Sequence, residues 1–226
     1  LTEEVEGLAA YNIFSIVDRS EELGLDVHYH VGGDLAIQAV LDAINAAKKK
    51  NGRLKGSHTL YHLGFLTDPQ IEEMKLLGGH VIAGIQPSLH WKNEWENTER
   101  FYGPYARSAY PYQKMLDAGI RLAFSTDFAS NTVLMSYPTE IMRVVLTGGE
   151  GRRQNTISMR DLIEGFTSGG FATTPLTNAG KLHIGYKADI VVFEKDLYHV
   201  PPQQLSKDYP RVLGTWVGGR KITADR

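Results

Sequence analysis

The chain has 226 residues, with 24 basic and 26 acidic side chains for a net charge of −2, 42% hydrophobic residues and no cysteine. That composition is too apolar for disorder, and no stretch reaches the ~18 uninterrupted apolar residues of a membrane span. A near-neutral chain without a long basic run does not suit a nucleic-acid coat, and any metal must rest on histidine and carboxylate because no thiolate is available.

The length suits one large domain, alone or with a small appendage. The chain opens Leu1-Thr2-Glu3-Glu4 with no visible signal peptide, so the expectation is a cytoplasmic protein. Thr2 is a candidate N-cap for a helix reaching Leu23, closed by Gly24. Leu25–His30 predicts a strand. Asp34 then opens a helix with Ile37, Val40, Leu41 and Ile44 on one face, fading at Lys48–Lys50, where the cations suit a helix C-terminus. Ser57–His62 predicts a second strand, Thr67-Asp68-Pro69 a third helix stopped at Gly78-Gly79, and His80–Ile85 a third strand. Gln86–Ala109 predicts a long aromatic loop, Pro111–Ala118 a helix and Arg121–Thr126 a fourth strand. Helices come next near Tyr137–Leu146 and Ser158–Phe171.

Short apolar strands each succeeded by a helix define βα units on a parallel sheet. Four such units fit residues 1–175. Beyond Pro175, Ala188–Phe193 and Val212–Thr223 are β-rich and predict a small separate β element over residues 176–226.

Chemistry on such sheets sits at the carboxyl ends of strands. The first strand ends His28-Tyr29-His30, the second Tyr61-His62, the third Gln86-Pro87 with His90 beyond, and the fourth Ser125-Thr126-Asp127. Period two puts His28 and His30 on one face. Imidazole and carboxylate in this arrangement suit a borderline divalent ion, zinc first, with iron, manganese or cobalt also acceptable. Such an ion makes a nucleophile of its bound water, and a carboxylate such as Asp127 can take the proton. His28 lies deeper in its strand and reads either as a hydrogen-bonded interior residue or as a substrate contact. His58 and His80 read as structural, His183 and His199 as solvated. The loop carrying His90, Trp91, Trp95, Phe101, Tyr102, Tyr105, Tyr110 and Tyr112 is too aromatic for a plain surface loop. It reads as a substrate lid, a subunit contact or a satellite core. The bland reading of any single strand-end histidine is a polar residue near solvent.

Gly180-Lys-Leu-His-Ile-Gly185-Tyr-Lys-Ala-Asp189-Ile-Val-Val-Phe193 resembles the C-terminal signature of the amidohydrolase superfamily, and Val212–Ile222 resembles the next strands of its β-sandwich. The ordered set His30-Val-Gly-Gly-Asp34, Tyr61-His62, Gln86-Pro87 and Ser125-Thr-Asp127 is similar to the YtcJ-like subgroup, amidohydrolase family 3. The resemblance implies a (β/α)8 barrel that hydrolyses C–N bonds of amides, ureas, carbamates or cyclic imides with one or two divalent ions, zinc in the first place. It implies that His30 and His62 are metal ligands ending the fifth and sixth strands. Asp127 would end the eighth, as ligand and general base or acid, and His90 would lie near substrate. The family's first-strand His-x-His pair and its bridging Lys or Glu have no counterpart in this sequence, and Phe128-Ala129 come after Asp127 where the subgroup commonly has x-Pro. Only ~97 residues (127 − 30) separate His30 from Asp127, whereas a whole barrel takes about 250. The expected fold is therefore α/β: the C-terminal half of a TIM-like barrel, about four βα units, plus strands of a β-sandwich. The expected partners are a small-molecule substrate and either a second copy or the N-terminal half of the parent enzyme, with no nucleic acid and no membrane. Two exposed edge strands, and an uncovered face carrying Val27, Leu60, Ile82, Ile85, Leu122 and Phe124 or their strand neighbours, are expected in a lone half. The alternatives are a non-catalytic half-barrel that assembles with another chain, and an unrelated phosphate-binding α/β enzyme. Against the latter, Gly148-Gly149-Glu150-Gly151 comes after a helix instead of opening one.

Overall fold

A computed structural model describes residues 12–87, 92–127, 137–149 and 155–222. Helix α1, Ile13–Leu23, is capped by Asn12, whose side chain accepts the Ser15 N–H, and is closed by Gly24 in the left-handed conformation. Asn12 is itself left-handed and caps the helix that begins at Ile13; the expected start at Thr2 lies outside the described residues.

Strand β1 (Val27–Val31) leads to α2 (Asp34–Asn51), and β2 (His58–His62) to α3 (Asp68–Leu77). The Gln70 side chain turns back to accept the Thr67 N–H at the start of α3, as a capping box requires. Strand β3 (Val81–Ile85) is followed by α4 (Lys92–Tyr102), a 3-10 segment at Gly103–Ser108 and α5 (Tyr112–Asp117). Strand β4 (Arg121–Phe124) is followed by α6 (Pro138–Thr147) and α7 (Met159–Glu164), which passes into a π-turn at Gly165–Gly169. The aromatic loop expected at 86–109 is thus mostly helical. Its polar Lys/Asn/Glu positions mask the period, and at its end Tyr102 packs on Phe65 of the loop after β2.

The four strands form one parallel sheet in the order β1-β2-β3-β4. Register sets His28 beside Thr59 and His30 beside Tyr61; Tyr61 in turn lies beside Gly84, and Gly84 beside Ala123. On β1 the alternation is clean: Tyr29 and Val31 are buried against the helices, His28 and His30 are exposed on the other face. β3 is buried throughout, as an interior parallel strand should be.

Most of the residues expected on an uncovered face do not lie on it. Register puts Val27, Leu60, Ile85, Leu122 and Phe124 on the helix side with Tyr29, where Val27 is half-buried and the others are buried; Ile82 shares the His28 face and is buried as well. The segment after α7 packs on β4. Phe166 stacks on Phe124, and Gly165 and Gly169 lie so close to β4 that a Cβ on either would collide with the Phe124 ring or the Leu122 carbonyl. The chain continues to Thr173, whose carbonyl accepts the His28 Nε2–H at 2.9 Å, and so reaches across to β1.

A second, antiparallel sheet has the order β5-β6-β7: β5 is Ile190–Phe193, β6 Val212–Val217 and β7 Arg220–Lys221. It is largely exposed, and Leu182, Ile184, Val192, Leu213 and Ile222 stand out from it or its approach. Among the described residues, no helix is long and apolar enough to cross a membrane.

Candidate metal centre

The carboxyl ends of β1 and β2 bring two histidines together. His30 and His62 have ring centroids 4.2 Å apart. A regular strand would not do this, because His62 is in register with Val31, whose side chain faces the helices. The backbone supplies the departure: His62 takes φ 74° and Leu63 φ 49°, both left-handed. That turn swings the imidazole to the face carrying His30. The Leu63 N–H then returns to the Val31 carbonyl and holds the bend. Left-handed backbone is uncommon for non-glycine residues and concentrates at functional sites.

Asp127, just beyond β4, has the same feature, with φ 52°. Its charge acts on His62: burial and the neighbouring His30 push the His62 imidazole below its usual range, and Asp127 opposes them. A neutral imidazole is the form that ligates a metal. The three strand-end residues thus share one end of the sheet. Even so, among the described residues no three His, Asp or Glu are gathered closely enough to hold an ion. The pair His30–His62 is what this end of the sheet brings into contact.

The other predicted residues divide. His28 is bound to the Thr173 carbonyl and tilts against Tyr61 at 5.3 Å, the hydrogen-bonded alternative of the sequence reading. His90 and Trp91 lie outside the described residues. Within the aromatic segment, Tyr110 and Tyr112 are buried in the core and stack on each other. Tyr102 and Tyr105 pack on Phe65 and keep an exposed rim with Phe101.

A second histidine cluster lies at the opposite end of β2. His58 is fully buried. Its Nε2 donates to Glu21 Oε1 at 3.0 Å, and its Nδ1 accepts the Tyr29 hydroxyl at 2.8 Å. Glu21 also accepts the backbone N–H groups of Lys55 and Gly56. Burial lowers the His58 pKa despite the Glu21 carboxylate, and burial raises that of Tyr29. Sequence reading gave His58 its structural role. It missed Glu21, which sits on a helix 37 residues away with no motif to single it out.

The model of an amidohydrolase family matches residues 6–222, and the chain belongs to that family. It is 28% identical over 180 residues to imidazolonepropionase of Bdellovibrio bacteriovorus, covering 79% of this chain and 36% of the relative. It is 24% identical over 218 residues to the N-substituted formamide deformylase of Arthrobacter pascens, covering 92% and 38%. With the putative amidohydrolase YtcJ of Bacillus subtilis it shares 24% over 196 residues, covering 84% and 36%. The fold is similar to that of an uncharacterized metal-dependent hydrolase from Pyrococcus horikoshii OT3, at TM-score 0.70 and 22% identity, over 89% of this chain and 39% of that one. It is also similar to zinc-complexed atrazine chlorohydrolase TrzN from Arthrobacter aurescens TC1, at TM-score 0.63 and 17% identity, over 94% and 47%. The chain spans little more than a third of the length of the curated relatives it matches.

Proposed function

We propose that this chain contributes part of the active site of a metal-dependent hydrolase that cleaves C–N bonds of amide-like small molecules. The observation that carries the reading is the His30–His62 pair, formed by a left-handed turn at a strand end, with the Asp127 charge acting on the same imidazole. The donor set suits a borderline ion: two imidazoles side by side, one held neutral by burial and its neighbour. His30 and His62 would hold the ion, and zinc is the favoured species. When bound, such an ion lowers the pKa of water to about 7. Asp127 would act as the general base and acid, taking up one proton and returning it to the departing nitrogen. His28, His90 and Trp91 would border the substrate. The relatives' names support C–N chemistry, since they include a formamide deformylase and an imidazolonepropionase.

A second reading is favoured by the ligand count. Two clustered histidines fall short of the three protein ligands a catalytic zinc site usually takes. On that reading residues 1–175 are strands five to eight of a TIM-like barrel and 176–226 are sandwich strands, completed by a further segment or, failing that, by a second copy. It would act in the cytoplasm. Zinc titration by calorimetry tests both readings. One ion per chain, lost in His30→Ala and His62→Ala, with amide hydrolysis only in a longer gene product, is the expected result. Zinc binding indifferent to both substitutions would overturn the centre. Robust, chelator-sensitive turnover by the 226-residue chain would overturn the second reading.

A further inference from the structure

Strand β3 ends at Ile85 and supplies no imidazole or carboxylate to the described site. It supplies Gln86, only 4% exposed, with two hydrogen bonds from its side chain and one at its backbone carbonyl. Its Oε1 accepts the backbone N–H of His62 at 3.0 Å, and its Nε2 donates to Ser125 Oγ at 2.6 Å. Its own carbonyl accepts the hydroxyl of buried Tyr110 at 2.8 Å. The amide orientation is set by chemistry: the His62 N–H can only donate, so it faces Oε1, and the amino group is left for Ser125.

Two of these partners belong to the segments that carry the candidate ligands. One is His62 itself, and the other is Ser125, two residues before Asp127. Both ligand positions are left-handed, a conformation that reverts unless its surroundings hold it. One buried amide lies between them, anchored from behind by Tyr110. We propose that Gln86 is a positioning residue that braces the turn at His62 against the strand end leading to Asp127, so that imidazole and carboxylate keep a fixed relation. The proposal rests on the metal-centre reading for its purpose, but the brace is a property of the fold. Orienting groups of this kind, when removed, cost about 10–100-fold in metal affinity.

The test compares Gln86→Met, which keeps length and removes both polar contacts, with Gln86→Glu. In the latter a carboxylate oxygen still accepts the His62 N–H, and the Ser125 hydroxyl can turn to donate to the other. Three readouts are taken on the full-length protein: zinc affinity by calorimetry, hydrogen exchange at the His62 amide, and the nuclear Overhauser contact between the His30 and His62 rings. Gln86→Met is expected to lose about 10–100-fold in zinc affinity, to exchange faster at His62 than at the strand-centre amides, and to lose the ring contact. Gln86→Glu should regain protection at His62. Retained affinity, protection and ring contact in Gln86→Met would overturn the brace, as would faster exchange spread evenly over all strands. If the wild-type protein takes up no zinc, the metal reading falls. Exchange and ring contact then still decide: their selective loss in Gln86→Met supports the brace, and their retention ends it.

Discussion

Four residues apart on strand β2, His58 and His62 have opposite surroundings. His58, at the amino end, is fully buried with both ring nitrogens paired, to Glu21 and to Tyr29. His62, at the carboxyl end, is half-buried, left-handed and set ring against ring with another imidazole. The same residue type is therefore enclosed at one end of the strand and left facing another imidazole at the other, the carboxyl end where parallel α/β sheets generally carry their chemistry. The physical reason is closure. At the amino end α1 brings the Glu21 carboxylate and the α2–β2 loop brings two N–H groups, and together with Tyr29 they enclose the ring. At the carboxyl end the chain bends at His62. The bonds that hold this bend are made by its backbone, to Val31 and to Gln86, and they leave the imidazole facing His30.

The largest effect should come from breaking the closed end. His58→Ala leaves the Tyr29 hydroxyl without its acceptor and the buried Glu21 carboxylate with one donor fewer. Breaking such a buried pair costs about 3–5 kcal/mol. Urea denaturation should show that loss, and a change below about 1 kcal/mol would show that water replaces the imidazole. Next in size is Gly169→Ala. Its methyl would meet the Leu122 carbonyl, backbone against backbone, with no flexible side chain to give way. Overpacking of this kind costs about 1–3 kcal/mol. Should the variant be as stable as wild type, the π-turn does not lie against β4 as described.

The pH dependence separates the two ends further. The folded pKa of His58 lies below the unfolded value of 6.5. The unfolded chain therefore binds the proton first as pH falls. The contribution of His58 to stability is complete above about pH 6.5 and declines below it towards the folded pKa, by at most about 1.4 kcal/mol per pH unit. His62 is shifted the same way, but is less buried and partly offset by Asp127. Denaturation midpoints between pH 7 and 5 should fall more steeply in His62→Ala than in His58→Gln, which removes the buried titrating group. Equal slopes would mean that His58 does not govern the window.

Much of this was legible in the chain. The βα order could be read from apolar runs bounded by Gly24, Gly78 and the Thr67-Asp68-Pro69 start, because caps act locally. His30, His62 and Asp127 were singled out by their place after strands; the structure sets the rings of His30 and His62 4.2 Å apart, and Asp127 does not join them in a three-residue cluster. The helix at 92–102 was hidden by aromatic and polar residues that pack on loops, where no regular period is imposed. Glu21 and the second role of Gln86 were hidden for another reason. Each acts through a partner 37 or 24 residues away, and only folding sets that distance. The left-handed turn at His62 gave no sequence sign at all, since glycine or asparagine is the usual marker and neither is there.

That last absence yields the smallest and most discriminating prediction. If His62 occupies φ 74° only because its imidazole is needed there, glycine should suit the backbone better than any residue with a Cβ. Left-handed backbone costs an L-residue roughly 1–2 kcal/mol, while glycine gives back about 0.5–1 kcal/mol through the entropy of the unfolded chain. His62→Gly should therefore be more stable than His62→Ala by about 0.5–1 kcal/mol and close to wild type, although both lose the zinc-binding imidazole. At His58, an extended position with no such strain, glycine should be worse than alanine. Thermal or urea unfolding of the four variants measures the crossing. If glycine is the poorer substitute at both positions, the turn at His62 is not strained, and its left-handed form would reflect loop closure by the Leu63 to Val31 hydrogen bond instead of a site held open for chemistry.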